Sequence, residues 1–262
     1  MADLEKQPRT IDEAPVAGGS NSEPTNVPAA SPTRSILRPL PQYDGTELER
    51  TATHDTQRAF PTYKHRKLGN PSPLGLMSFA STMLMYSLYN LHTRHINVPN
   101  VVVGMAMGIG GLTQLLAGMW EFAEGNSLGA TGFSCYGGFW LSYGIINWPG
   151  TGIMESYVGP TQNQLNDALG IYFLVWFILT LIIFLGSFRS SIALASKLGF
   201  LLMTFLLLMI GSFMEKVSVI KAAGVFGAIT SFIAYYIAMA ALYSPETGYI
   251  HIPVGSLNKK EN

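Results

Sequence analysis

Hydrophobic and polar positions divide this chain into two unlike parts. From Leu68 onward the charge-free runs are long: 68–93, 95–120, 125–154, 168–188, 198–214 and 222–245. A hydrocarbon layer about 30 Å thick needs roughly 20 apolar residues of helix, at a rise of about 1.5 Å per residue. The pattern therefore predicts an all-α polytopic membrane protein with six transmembrane helices, at 74–91, 98–120, 128–148, 168–188, 192–214 and 222–243. Leu169 to Phe188 is hydrophobic all round, with no polar stripe at a 3.6-residue period, which excludes a water-facing helix there.

Residues 1–67 carry 18 of the 32 charged residues and 8 of the 15 prolines. Such a stretch cannot bury enough apolar surface to offset its ordering entropy, so it reads as a disordered N-terminal tail. The expected organisation is a tail at 1–67, a helical membrane domain at 68–245 and a short second tail at 246–262. The N-terminus has no basic stretch followed by an apolar core, so no secretory signal peptide is expected and the first span must direct its own insertion.

Charge and cysteine content narrow the function. Sixteen basic and sixteen acidic residues give zero formal charge, which excludes a basic nucleic-acid-binding face. The one cysteine, Cys135, cannot form an internal disulfide, and no Cys/His cluster has zinc-ligand spacing, so neither metal nor cofactor is expected. An enzyme is not expected either: Gly-x-Ser-x-Gly and His-Glu-x-x-His motifs are missing, and so is a pair of aspartates within a span.

Orientation follows from basic residues near the spans. With a cytosolic N-terminus, Arg58, Lys64, Arg66, Lys67, Arg189, Lys197, Lys259 and Lys260 lie inside, against Arg94, Lys216 and Lys221 outside. The excess predicts a multi-pass protein of the cell membrane with both termini in the cytosol. No charged residue occupies the middle of a predicted span, so a pathway through the bundle would have no fixed ion pair at its midpoint.

Glycines gather in the second, third and sixth spans, and Gly104-xxx-Gly108 has the spacing of close helix contact. Packing within one bundle is the favoured reading, with a subunit interface as the alternative. On the first span, Phe79, Met83, Tyr86 and Asn90 share a face; on the third, Tyr136, Phe139, Trp140 and Tyr143 make an aromatic stripe. By themselves both stripes read as core packing. Gln114 is polar within a span and needs an internal partner, whereas Glu121 and Glu124 at the end of the second span suit a solvated boundary as well as a site. Asn70 and Ser72, before an apolar run opened by Pro71 and Pro73, suit a helix start whose free amides favour an anion.

Three motifs in order carry a resemblance. Asn70-Pro71-Ser72-Pro73-Leu74-Gly75-Leu76 resembles the N-P-A-P-L-G-L signature of the acetate uptake transporter family of microbial acetate and succinate permeases, with Ser72 in place of Ala. Gly110 to Phe122 is similar to its G-G-x-x-Q-x-x-x-G-x-x-E pattern, and Phe133 to Trp140 to its F-x-S-Y-G-x-F-W. The likeness covers residues 70 to about 245, and the tail resembles those of fungal members.

The resemblance implies a six-helix protomer in a homohexamer within the lipid bilayer, each protomer with its own pathway for acetate and other small carboxylates, with proton coupling possible in principle. It implies an apolar constriction of Phe79, Tyr136 and a fifth-span leucine; Leu201 fits best, with Leu202 or Met203 as alternatives. Asn70, Asn90, Gln114 and Glu121 become polar candidates along the pathway. Two other activities stay open: export of ammonium or ammonia, and sensing of acetate or ammonium without transport.

Overall fold

The computed structural model describes residues 68–96, 98–162, 164–243 and 252–257, all within the compact unit Arg66–Asn262. The tail expected at 1–67 lies outside the described residues. Among the described residues the protein is all-helical: α1 (Ser72–Asn90), α2 (Val101–Ala123), α3 (Ser127–Asn147), α4 (Gln164–Gly186), α5 (Ile192–Phe213) and α6 (Val217–Leu242), joined by short turns and 3-10 segments. Four regions are long and apolar enough to cross a membrane: α2, α5, α6, and α4 together with the turn that follows it to Arg189. Serines, threonines, glycines and tyrosines lower the hydropathy of α1 and α3, although their lengths are comparable.

The predicted boundaries shift where helix outruns apolar sequence. α4 starts at Gln164, bringing Asp167 into its first turn, where a carboxylate is favoured by the helix dipole. α6 starts at Val217 and carries Lys221 as an exposed residue of its early turns. Charge marks where a helix leaves an apolar layer, and the backbone hydrogen bonds continue past that point.

Successive helices run in opposite directions. The starts of α1, α3 and α5 and the ends of α2, α4 and α6 therefore share one end of the bundle, here called proximal. α1 packs chiefly against α6, α6 against α5, α5 against α4, and α2 against α1 and α3. Backbones of α3 and α4 stay further apart and are bridged by long side chains: Tyr136 Oη donates to Thr180 Oγ1 at 3.2 Å, and Tyr172 Oη lies 2.8 Å from Ser142 Oγ.

α2 is not a plain α-helix. Residues Ala106–Thr113 form a π-helical segment containing Gly108, Gly110 and Gly111. A Cβ on Gly110 would lie 2.6 Å from Thr82 Oγ1 of α1, and one on Gly137 of α3 would lie 2.8 Å from the Leu115 amide nitrogen. These glycines let three helices meet at backbone distance. Gly104 and Gly108 do not belong to that contact. Both are exposed with nothing within 4 Å of a built Cβ, so the expected packing of this pair inside the bundle is corrected: they face out of the protomer.

The bundle is apolar outside as well as inside. Val101, Leu112, Leu116 and Trp120 on α2, Ile182 and Leu185 on α4 and Phe232 on α6 are all exposed. A water-soluble bundle would bury such residues, whereas a lipid-facing surface keeps them. This is the surface of a multi-pass membrane protein.

Residues 252–257 return to the proximal end. Carbonyls of Gly255 and Val254 accept from the amides of Ile192 (2.7 Å) and Ala193 (3.2 Å), Leu257 N donates to Ser190 O (3.0 Å), and Tyr236 Oη donates to Pro253 O. The first amides of a helix have no intrahelical acceptor, and this segment supplies two. The part of the expected tail that is described is thus docked onto α5.

Candidate functional site

The two aromatic stripes face each other at the centre of the bundle. Phe79 and Tyr136, both 2% exposed, have ring centroids 5.8 Å apart, and Leu201, also buried, belongs to the same apolar cluster. Of the three fifth-span candidates, Leu201 is the side chain brought to this cluster; Leu202 is half-buried and Met203 exposed on the outer face. Distal to Phe79, the stripe continues through Tyr86, which meets Trp140 and Tyr143 edge-on at 5.8 and 5.2 Å. Tyr136 spends its hydroxyl hydrogen on Thr180, a fully buried α4 residue that sequence reasoning did not single out.

A chamber of about 220 Å³ opens on the proximal side and ends against Tyr136. Its wall includes Asn70, Ser72, Asn126, Ser191 and Lys197. At about 30 Å³ per water it holds roughly seven, room for a two-carbon acid with part of its hydration.

The candidate polar residues divide by position. Asn70 is exposed, and its Oδ1 accepts from Ser72 N at 3.0 Å, capping the start of α1. Ser72 directs its own hydroxyl to Glu121 Oε1 at 2.5 Å, while Asn126 Nδ2 donates to Glu121 Oε2 at 2.6 Å. Glu121 is 1% exposed, so the solvated-boundary reading is corrected: its carboxylate ties the start of α1 and the α2–α3 turn together. Gln114 is fully buried at the end of the π segment, and neither of its amide atoms has a partner among the described residues. Asn90 lies at the far end of α1, where its Nδ2 and Ser87 Oγ are buried with no hydrogen-bond partner among the described residues. Asn70 and Glu121 thus gather at the proximal end, whereas Asn90 lies beyond the aromatic cluster and Gln114 beside α1 and α3.

The largest departure concerns Lys197. Counted from sequence as a cytosolic charge, it is 3% exposed and lies inside α5, with its Nζ 4.5 Å from the Phe79 ring centroid and 5.9 Å from that of Tyr136. The sequence did contain a signal. Lys197 stands four residues before Leu201, the helical spacing that puts two side chains on one face.

The chamber is walled by polar and, for the larger part, apolar side chains, and the buried aromatic cluster lies at its inner end. The family pattern described as GPR1/FUN34/yaaH matches residues 53–259. The chain belongs to the GPR1/FUN34/yaaH family. It is 42% identical over 186 residues to Ammonia transport outward protein 2 of Saccharomyces cerevisiae, covering 71% of this chain and 66% of that one. It is 39% identical over 198 residues to Acetate permease A of Emericella nidulans, covering 72% and 66%. The chain thus spans just under two thirds of the length of these relatives. Among solved structures, that of the bacterial acetate channel SatP matches with a TM-score of 0.64 at 31% identity, covering 72% of this chain and all of that one.

Proposed function

We propose that this chain forms a transmembrane pathway for acetate and related small monocarboxylates. The observation that carries this reading is the chamber that ends against Tyr136, which packs beside Phe79 in the cluster that also holds Leu201, in a chain similar to Acetate permease A and to the acetate channel SatP. All six helices would cross the bilayer, with the proximal end and both termini in the cytosol of the cell membrane. Phe79, Tyr136 and Leu201 would set the width of the neck, and Asn70 and Glu121 would shape its mouth. Gln114 and Asn90 would offer polar atoms deeper in, where their unpaired amides support contact with water or permeant.

Burying a bare carboxylate in an apolar neck is costly. The neck must therefore be short, or the acid must cross it protonated, and the second route couples flux to protons. Assembly as a homohexamer is supported by Gly104 and Gly108, which leave a close-approach surface on the outside of α2.

Purified full-length protein in sealed liposomes tests the reading. Labelled acetate should enter faster than into empty vesicles, and an inward proton gradient should accelerate it if the acid form crosses. Liposomes no more permeable than protein-free controls would refute it. The likeness to Ammonia transport outward protein 2 favours a second reading, ammonium or ammonia export, which the same vesicles distinguish with an ammonium load and an internal pH dye.

A further inference from the structure

Among the described residues, Lys197 is the one charged side chain of the chamber wall. Its Nζ makes no hydrogen bond and no ion pair among the described residues. Of the neutral polar wall residues, Asn70 is engaged with Ser72 N, Ser72 and Asn126 with Glu121, Ser191 with Leu194 N at 3.2 Å and Tyr136 with Thr180, while half-buried Ser190 offers only a neutral hydroxyl. Both carboxylate oxygens of Glu121, the acidic group nearest the wall in these contacts, are held by hydrogen bonds from other elements.

An ammonium taken out of water must recover its lost hydration from its surroundings. Two aromatic faces supply part of that through cation–π attraction, strongest where water is excluded. They leave three N–H donors without an acceptor. Helix dipoles do not alter the balance, since starts and ends of helices meet at the proximal end in equal number. The chamber therefore has an amine without a hydrogen-bond acceptor at its inner end, beside the Phe79 and Tyr136 rings.

We propose that Lys197 is the anion-binding residue of this pathway: its ammonium takes the carboxylate of a small monocarboxylate in the chamber and presents it to the Phe79–Tyr136 pair. This deepens the acetate reading and rests on it for the identity of the permeant. It also gives a physical reason for selection. A cation at this position meets a like charge, which raises the cost of ammonium entry and lowers that of acetate. Short acids fit best, because the methyl group of acetate can face the rings while its oxygens stay on Nζ.

Equilibrium binding to detergent-solubilised full-length protein, followed by ligand saturation-transfer NMR, tests the assignment without requiring transport. Acetate and its neutral isostere acetamide are titrated against the unaltered protein, Lys197→Met and Lys197→Arg. Acetate should bind the unaltered protein more tightly than acetamide. Lys197→Met should weaken acetate by about tenfold or more, as expected for loss of a charged hydrogen bond, and leave acetamide unchanged. Lys197→Arg should stay within a few-fold of the unaltered protein. Equal acetate affinity in Lys197→Met, or no preference for acetate over acetamide in the unaltered protein, overturns the proposal. If Lys197→Met does not survive purification, the acetate-against-acetamide comparison on the unaltered protein decides alone. Binding that depends on Lys197 without any acetate flux would refute transport and leave the anion site standing; flux with Lys197-independent binding would do the reverse.

Discussion

Ser72 Oγ donates to Glu121 Oε1 at 2.5 Å across 49 residues of sequence, and Asn126 reaches the same carboxylate from the next turn. One buried anion thus fastens α1, α2 and α3 together at the mouth of the chamber. Glu121→Ala leaves two donors unpaired and should cost roughly 3 kcal/mol or more. Ser72→Ala removes one donor and leaves Asn126 on the carboxylate, so it should cost about half as much. Thermal unfolding in detergent should order the melting temperatures as unaltered, Ser72→Ala, then Glu121→Ala; equal melting temperatures would show that the carboxylate does not hold the helices.

Gly137 and Gly104 predict opposite outcomes for the same substitution. A methyl at Gly137 meets the Leu115 amide nitrogen at 2.8 Å and the Gly111 carbonyl at 3.0 Å, both backbone atoms that cannot swing aside. Gly137→Ala should destabilise by about 1–3 kcal/mol through overpacking. Gly104→Ala meets open space and gains helix propensity, so protomer stability should hold or rise. Gly104→Leu should leave the melting temperature unchanged and reduce oligomer size by native mass spectrometry; an unchanged assembly would remove this face from the subunit contact.

Gln114 buries both amide atoms without a partner. Replacing it by leucine, close in volume and apolar, removes an unmet demand worth about 1–3 kcal/mol per atom. The expected result is slower acetate flux in liposomes with a melting temperature no lower than that of the unaltered protein, because contact with water or permeant along the pathway does not hold the resting fold. Unchanged flux would remove Gln114 from the pathway.

The neck makes a prediction about selection. Phe79→Ala and Tyr136→Ala should widen it and raise the succinate-to-acetate uptake ratio in liposomes, while Tyr136→Phe keeps the ring and the ratio. Losing the bond to Thr180 should cost Tyr136→Phe only about 1 kcal/mol. Unchanged ratios in both alanine variants would exclude these rings as the size filter.

The all-helical class and the rough helix positions were legible because apolar run length is set by the solvent the helices face, a constraint written into every residue of Leu169–Phe188, and four of the six expected spans meet that length and hydropathy among the described residues. Each aromatic stripe was legible on its own helix, since Phe79–Asn90 and Tyr136–Tyr143 follow a helical period, but periodicity does not say that the two stripes face each other. Lys197 was hidden by the counting of basic residues, which assigns any lysine near a span end to the aqueous side and ignores which face it occupies. The π segment was not legible, because glycines at Gly108, Gly110 and Gly111 announce close approach without fixing the hydrogen-bond register. Docking of residues 252–257 escaped notice because its bonds to α5 run through backbone carbonyls, which any sequence possesses.

That docking sets an order of assembly. Translation completes α5 well before it reaches Gly255 and Val254, so the amides of Ile192 and Ala193 wait for acceptors made later. Packing of α1 likewise waits on α6, its main neighbour, and a ribosome stalled before residue 252 would hold a protomer whose fifth helix still has a loose beginning.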